Sequence, residues 1–352
     1  MAEPLSIPPP RRSTADRVAI VVNGNAKQVT DELVEVLDQL VQSGDLYVSR
    51  SLEEGQEIAE TIVERGYPTV LTGGGDGTFV QVVTWVNQAA KKRGLPLPRF
   101  GFLRLGTGNA LAWVVGAQNI RGRGVFADLG RLRKEGGSRQ LRLLEVEGLL
   151  TPFAGTGTDA IVLSHFEGVK AIFARTPVLE RFATGGAAYA TAIVTRSIPD
   201  QIARPSRKVR IVNEGEDTRR IGPDGQPTGS LVRRGEVIYE GPSRMVIFST
   251  IPYWGFGARI FPFAADREDR FQLRVVDVGP LMLASHVRAI WKGTYTHPGI
   301  HDFLVDHISV HYEQPMPLQV GGDLIGERSD YDARLYPEPI RVVDYYGPPP
   351  VD

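Results

Sequence analysis

A carboxylate set inside a glycine cluster is the first candidate for chemistry in this sequence. Asp76 sits in Thr72-Gly73-Gly74-Gly75-Asp76-Gly77-Thr78. Glycines without Cβ atoms let a backbone turn sharply and let a phosphate reach bare N–H groups. A helix N-terminus behind such a turn adds partial positive charge. An acid there would repel a phosphate unless it holds Mg²⁺ or takes a proton from a substrate. Three consecutive glycines also exceed what a plain strand-to-helix turn needs. Two further turns have the same character: Asn23-Gly24-Asn25-Ala26-Lys27 and Leu105-Gly106-Thr107-Gly108-Asn109.

The elements around these turns alternate. Residues 17–22 form a continuous apolar run, the signature of a buried parallel strand. Leu33, Val36, Leu37, Leu40 and Val41 then recur at helical spacing. A strand at 46–49, a helix at 53–65, a strand from 69, a helix at 77–93 and a strand at 99–103 follow. The next helix carries Leu111, Ala112 and Val115. Such alternation implies a parallel sheet with helices on both faces, which binds ligands at the carboxyl ends of its strands. All three turns fall at that edge. After residue 137 the rhythm changes. Strand patterns at 139–146, 208–212, 236–239, 245–251, 271–278, 307–311, 317–320 and 340–343 predict a β-sandwich or barrel. Residues 169–195 read as partly helical, and 213–234 as an exposed loop or long hairpin. The expected class is α/β plus β. It comprises a disordered arm over 1–16, an α/β nucleotide domain over 17–137 and a β-rich acceptor domain over 138–346, whose C-terminal end is free to return to the first domain.

Composition narrows the options. The 352 residues carry a net charge of -1, which gives no support to nucleic-acid binding. With no cysteine there is no disulfide, thiolate catalysis or Cys-based zinc site. No lysine directly follows a glycine, so there is no Walker A loop. Gly155-x-Gly157-x-x-Ala160 has dinucleotide spacing but lies outside any βαβ frame. His297 and His301, and His307 and His311, sit four apart without an evident third ligand. There is no Gly-x-Ser-x-Gly elbow. Arginine-rich clusters (Arg204, Arg207, Lys208, Arg210, then Arg219, Arg220, Arg233, Arg234) are a solvated face or a patch for anionic lipid headgroups. The uncharged run at 182–195 is short of the roughly 20 residues of a spanning helix. A cytoplasmic chain, peripheral at most on a membrane, is expected.

Together, the Thr72–Thr78 turn, the Leu105–Asn109 turn and Asn23-Gly24-Asn25-Ala26-Lys27 resemble the diacylglycerol kinase catalytic domain. That family includes bacterial lipid kinases, is related to sphingosine and ceramide kinases, and shares Gly-Gly-Asp-Gly with NAD kinases and phosphofructokinases. Gly157-Thr158-Asp159-Ala160 and residues 255–265 fit more weakly. The resemblance implies ATP and Mg²⁺ as cofactors and a nucleotide site lined by Asn23, Gly24, Asn25, Lys27, Gly74, Gly75, Asp76, Gly77, Thr78, Gly106, Thr107, Gly108 and Asn109. Ser51 is a weaker transfer. A lipid substrate, transient membrane contact, no nucleic acid and a possible homodimer go with it. Two departures stand out. Where the family has Asp-Gly-Glu, this chain has Gly321-Gly322-Asp323, so the catalytic base is Asp323 from a shifted position or Asp76, or the chain has lost the reaction. Asp76 is favoured because its turn is intact. Where relatives have Asp-Gly beside a metal, this chain has Asp269-Arg270, which puts an accessory site using Asp269, beside Asp76 at the phosphates, in question. The expectation is a lipid kinase acting on diacylglycerol or a sphingoid base. The alternatives are a kinase of a soluble acceptor such as NAD, or an inactive nucleotide- or lipid-binding regulator.

Overall fold

The computed structural model describes residues 17–26, 29–40, 45–106, 109–118, 124–133, 137–157 and 206–346. The predicted helix at 169–195 and the Thr158-Asp159-Ala160 match lie outside the described residues.

The α/β half begins with β1 (Val18–Asn23), α1 (Asp31–Leu40), β2 (Leu46–Ser49), α2 (Leu52–Glu64) and β3 (Thr69–Gly74). It continues with α3 (Asp76–Arg93), β4 (Arg99–Arg104), α4 (Ala110–Val115), α5 (Gly124–Arg133) and β5 (Gly137–Leu141). Every residue of β3 is buried, as a central parallel strand covered on both faces requires. Its partners β1 and β4 are parallel to it, and β2 is parallel to β1.

The β-rich half contains β6 (Leu144–Val146), β7 (Leu149–Thr151), β8 (Phe153–Gly157), β9 (Arg207–Asn213), β10 (Thr218–Ile221), β11 (Pro227–Val232) and β12 (Val237–Ser243). Then come β13 (Met245–Ser249), β14 (Phe271–Val276), two short helices α6 (Pro280–Ser285) and α7 (Val287–Lys292), β15 (Ile300–Val305), β16 (His307–Val320) and β17 (Asp323–Leu335). These strands build a 12-stranded sheet whose pairings are all antiparallel. The last strand, β18 (Ile340–Asp344), leaves that sheet. It inserts between β4 and β5 and completes a 6-stranded sheet of order β2-β1-β3-β4-β18-β5.

The run read as one strand at 139–146 is two strands. Residues 137–141 pair with β18 in the first sheet, and 144–146 pair with β17 in the second. The stretch 213–234 resolves into the β10–β11 hairpin.

Helix α3 joins the halves. It is 18 residues long and ends with basic Lys91, Lys92 and Arg93, then Gly94 in the left-handed region at φ 64°, a terminus that suits the helix dipole and the closing turn. Its buried residues include polar Thr84 and Asn87 as well as Phe79, Val80, Val83 and Val86, so it is covered on more than one side. Phe79, Val83 and Val86 pack into the α/β core. Val80 enters the core of the large sheet. One turn on, Thr84 Oγ1 accepts the Leu150 N–H at 2.9 Å, and Asn87 Oδ1 accepts the Tyr336 hydroxyl at 3.0 Å. Positions 80, 84 and 87 form one stripe, so this helix carries the second sheet on one face while its N-terminus meets the strand edge.

Candidate active site

Because β1, β3 and β4 are parallel neighbours, their carboxyl ends lie side by side. The sheet order reverses about β1, with β2 on one side and β3 on the other, which opens a crevice at the strand ends. The three glycine turns leave from this edge.

The first turn is held by its own amides. Asn23 Oδ1 accepts the Asn25 N–H at 2.9 Å, and Asn25 Nδ2 donates to the Arg50 carbonyl at 2.8 Å. Asn23 Nδ2 also donates to Thr78 Oγ1 at 3.4 Å, a bond between the first and second turns. Lys27, Thr107 and Gly108 lie outside the described residues.

The second and third turns approach at backbone distance. A Cβ on Gly106 would overlap Gly75 Cα and stand 2.7 Å from its nitrogen. A Cβ on Gly74 would overlap the Thr78 side chain. Glycine is required here because two backbones touch. Gly75 is the N-cap of α3 and offers no side chain to the first turn, so the amide end of an 18-residue helix sits at this strand edge without a cap from its own N-cap residue.

Asp76 is buried. Its Oδ2 accepts the Ala110 N–H at 2.7 Å and its Oδ1 the Leu111 N–H at 3.0 Å. It therefore caps α4 from a different helix and ties the β3 turn to the β4 turn. Burial pushes its carboxyl up to about 6, against the pull of the Leu111 and Ala110 amides; the Asp323 charge adds to the rise and Arg104 opposes it. Asn109, at the start of α4, is left-handed at φ 47°. It donates through Nδ2 to the Gly106 carbonyl, while its buried Oδ1 has no hydrogen-bond partner among the described residues.

Asp323 arrives from the other sheet. Val320 pairs with Asp323 across a two-residue turn whose members, Gly321 and Gly322, have φ 59° and 89°. Positive φ at both positions is the type I′ geometry of tight hairpins. The tip rests on α3: a Cβ on Gly321 would overlap Val80, and one on Gly77 would overlap the Asp323 carboxylate. Gly321, read from the sequence as standing where an aspartate was expected, has no room for a side chain. The acid is carried to the α3 N-terminus two positions later.

The structure brings together Asn23, Gly24, Asn25, Gly74, Gly75, Asp76, Gly77, Thr78, Gly106 and Asn109, with Asp323 beside them. Ser51 stands at the neighbouring strand end as the N-cap of α2, where its hydroxyl accepts the Glu54 N–H at 3.1 Å. Asp269 does not fit a metal ligand. Arg267 binds both its oxygens at 2.9 and 2.6 Å, Arg270 lies 3.5 Å away, and these contacts, the Arg267 hydrogen bond foremost, hold its carboxyl below the usual range. No cluster of three metal-ligating side chains occurs among the described residues. With both Asp76 oxygens on backbone amides, a protein-built magnesium site through Asp76 and Asp269 is not supported. The histidine pairs form no such cluster either: His311 Nδ1 is 2.7 Å from Asp330 Oδ1 on the solvated face of β16. Gly155 and Gly157 lie in β8, where Cβ atoms would press on the β13 backbone, so their spacing serves sheet packing.

Sequence reasoning missed two cations at this edge. Arg104 ends β4, and its guanidinium lies 5.5 Å from the centre of the Trp113 ring. The Arg50 stem borders Gly24. Their position at the carboxyl end of a strand was the available signal.

Residues 17–135 match the family model for the diacylglycerol kinase catalytic domain. No curated protein sequence matches the chain. Among solved structures, the chain is similar to a proposed diacylglycerol kinase from Bacillus anthracis str. Sterne. The TM-score is 0.63 at 14% identity, covering 95% of this chain and 98% of that one. A diacylglycerol kinase structure from the same organism gives a TM-score of 0.57 at 12% identity, with 95% and 98% covered. At these identities the likeness is one of fold. An NAD kinase from Archaeoglobus fulgidus in complex with ATP matches at a TM-score of 0.44 and 11% identity, over 93% of each chain, too slight to bear on function.

Proposed function

We propose, from the match of residues 17–135 to the family model for the diacylglycerol kinase catalytic domain, that this chain is an ATP-dependent lipid kinase. It moves the γ-phosphoryl group of ATP to a hydroxyl of a diacylglycerol or a sphingoid base. The observation that carries the reading is the meeting of the three turns at one strand edge, with the α3 N-terminus and the Asp323 carboxylate at the same place.

Phosphoryl transfer is mainly positioning and charge stabilisation. The amides of Gly75, Asp76, Gly77 and Thr78 point at the β- and γ-phosphates, and Arg104 and Arg50 supply positive charge at the rim. The acceptor oxygen forms a bond to the γ-phosphorus as the bond to the bridging oxygen breaks, and ADP leaves. Asp323 takes the hydroxyl proton. It is the solvent-exposed carboxylate of the pair, whereas Asp76 has both oxygens committed to α4. Asp76 is then a positioning residue that keeps the second and third turns in register. Magnesium, when bound with the nucleotide, offsets phosphate charge.

The test is transfer of radiolabel from [γ-³²P]ATP with Mg²⁺ to diacylglycerol, sphingosine, ceramide and NAD. Label in a lipid supports the proposal; label in NAD alone replaces it with the soluble-acceptor reading. Gly321 at the family's aspartate position favours a second reading, a regulator that binds ATP without transfer. Nucleotide binding by thermal shift with no labelled product on any acceptor would establish that reading instead.

A further inference from the structure

We propose that the α6–α7 hairpin is a docking surface for an anionic lipid bilayer, which brings the acceptor to the strand-edge site. The inference rests on the lipid-kinase reading for its purpose, though not for its evidence.

Neither helix buries a single residue. Leu281 is 65% exposed, Val287 55%, Trp291 46% and Met282 45%. Two six-residue helices that show so much apolar surface to water do not form for their own stability. Clustered exposed apolar side chains of this kind mark an interaction surface. The chemistry of the surroundings selects the partner. Between Val278 and His301 there is no acidic residue, while Arg288 and Lys292 lie on α7 among the apolar side chains. Apolar side chains flanked by cations, with tryptophan among them, suit the interface of an anionic membrane. The sequence's other basic cluster is less suited, because Lys208 and Arg210 already face Glu240 at 3.3 and 3.8 Å.

The surface is also joined to the site. The Arg259 N–H donates to the Trp291 carbonyl at 2.9 Å. Two residues earlier, Gly257 at φ 80° leaves its Cα face to the Trp113 ring, where a Cβ would lie 2.6 Å from Cε2. Trp113, itself 41% exposed, is on α4, the helix capped by Asp76, and its ring faces Arg104. Tyr253 stands 6.4 Å from Trp113 by ring centres, and the Tyr346 hydroxyl donates to the Trp113 carbonyl at 3.1 Å. The hairpin is therefore linked through residues 257–259 to Trp113 on α4, the helix that Asp76 caps.

The experiment uses the full chain and three variants: Leu281→Asp with Val287→Asp, Trp291→Ala, and Arg288→Gln with Lys292→Gln. Co-sedimentation with phosphatidylcholine vesicles, with and without phosphatidylglycerol, is measured beside transfer to a short-chain diacylglycerol in free solution. We expect the wild type to bind the anionic vesicles, and each variant to bind about tenfold less or worse, with transfer to the soluble short-chain lipid unchanged. Equal vesicle binding by wild type and variants overturns the proposal. So does a change of oligomeric state in the variants without a change in vesicle binding, which assigns the surface to a second copy. Vesicle binding lost in the variants, with no acceptor phosphorylated by any form, retains the docking surface and rejects the kinase reading.

Discussion

Asp76→Asn separates the cost of a buried carboxylate from its use. The side chain is buried, and its carboxyl rises from 3.8 to about 6. At about 1.36 kcal/mol per pH unit, this is about 3 kcal/mol. The sign follows from the direction. A carboxyl raised on folding stabilises the folded state below its unfolded value, and that contribution is lost as pH rises through the folded value. Wild type therefore loses about 3 kcal/mol from this group between about pH 4 and pH 7. Asparagine loses none. It also matches the protonated acid closely, since each offers one acceptor oxygen and one donor to the Ala110 and Leu111 amides. The variant should equal wild type in urea unfolding near about pH 4 and exceed it by about 3 kcal/mol near about pH 7.5. At the same pH its KM for ATP should rise, because a donor now faces one α4 amide and the Gly106–Asn109 turn loses its anchor. Displacements of about 1 Å at such a site cost on the order of 10²-fold in rate. A variant that is relatively less stable at the higher pH would refute the argument, since the two amides would then outweigh desolvation. A variant that loses kcat with KM for ATP intact would make Asp76 the base.

Further outcomes follow from the same geometry. Asp323→Asn should lower kcat by about 10²–10⁴ with KM for ATP unchanged; unaltered turnover in steady-state assays would remove Asp323 from the chemistry. Gly321→Asp, which places the expected aspartate there, should destabilise the chain by about 1–3 kcal/mol in denaturant titrations, because the side chain meets Val80 from a backbone at φ 59°. A gain of activity there would show that the hairpin tip moves. Ser51→Ala should cost about 1 kcal/mol through loss of the α2 cap while leaving KM for ATP near wild type; a large KM change would instead place the hydroxyl on the nucleotide.

What the sequence made legible depended on range. The first four strands and the helices between them follow from local periodicity, and the glycine turns announce themselves by residue type. Strand β17 did not: its Asp-Leu-Ile-Gly-Glu-Arg-Ser-Asp run is polar and mostly exposed, and only pairing with β16 makes it a strand. Strand β15 hides Asp302, whose burial depends on Arg274 at 2.7 Å on the neighbouring strand. The break at Arg142 was invisible because both flanking stretches alternate, though they belong to different sheets. In the site, Asp76 stood out by its neighbours, but its two amide partners lie on α4, a different helix. Asp323 reaches Gly77 only because the returning hairpin rests on Val80. Glycine in place of the expected aspartate was legible; the crowding against Val80 required the left-handed turn at Gly321.

The central claim is that three glycine turns at one strand edge hold a triphosphate. A crystal structure of the full chain with a non-hydrolysable ATP analogue and Mg²⁺ tests it most directly. The expected result places the β- and γ-phosphates against the backbone amides of Gly75 to Thr78, with Asp323 facing the γ-phosphate. A nucleotide found away from that edge would contradict it.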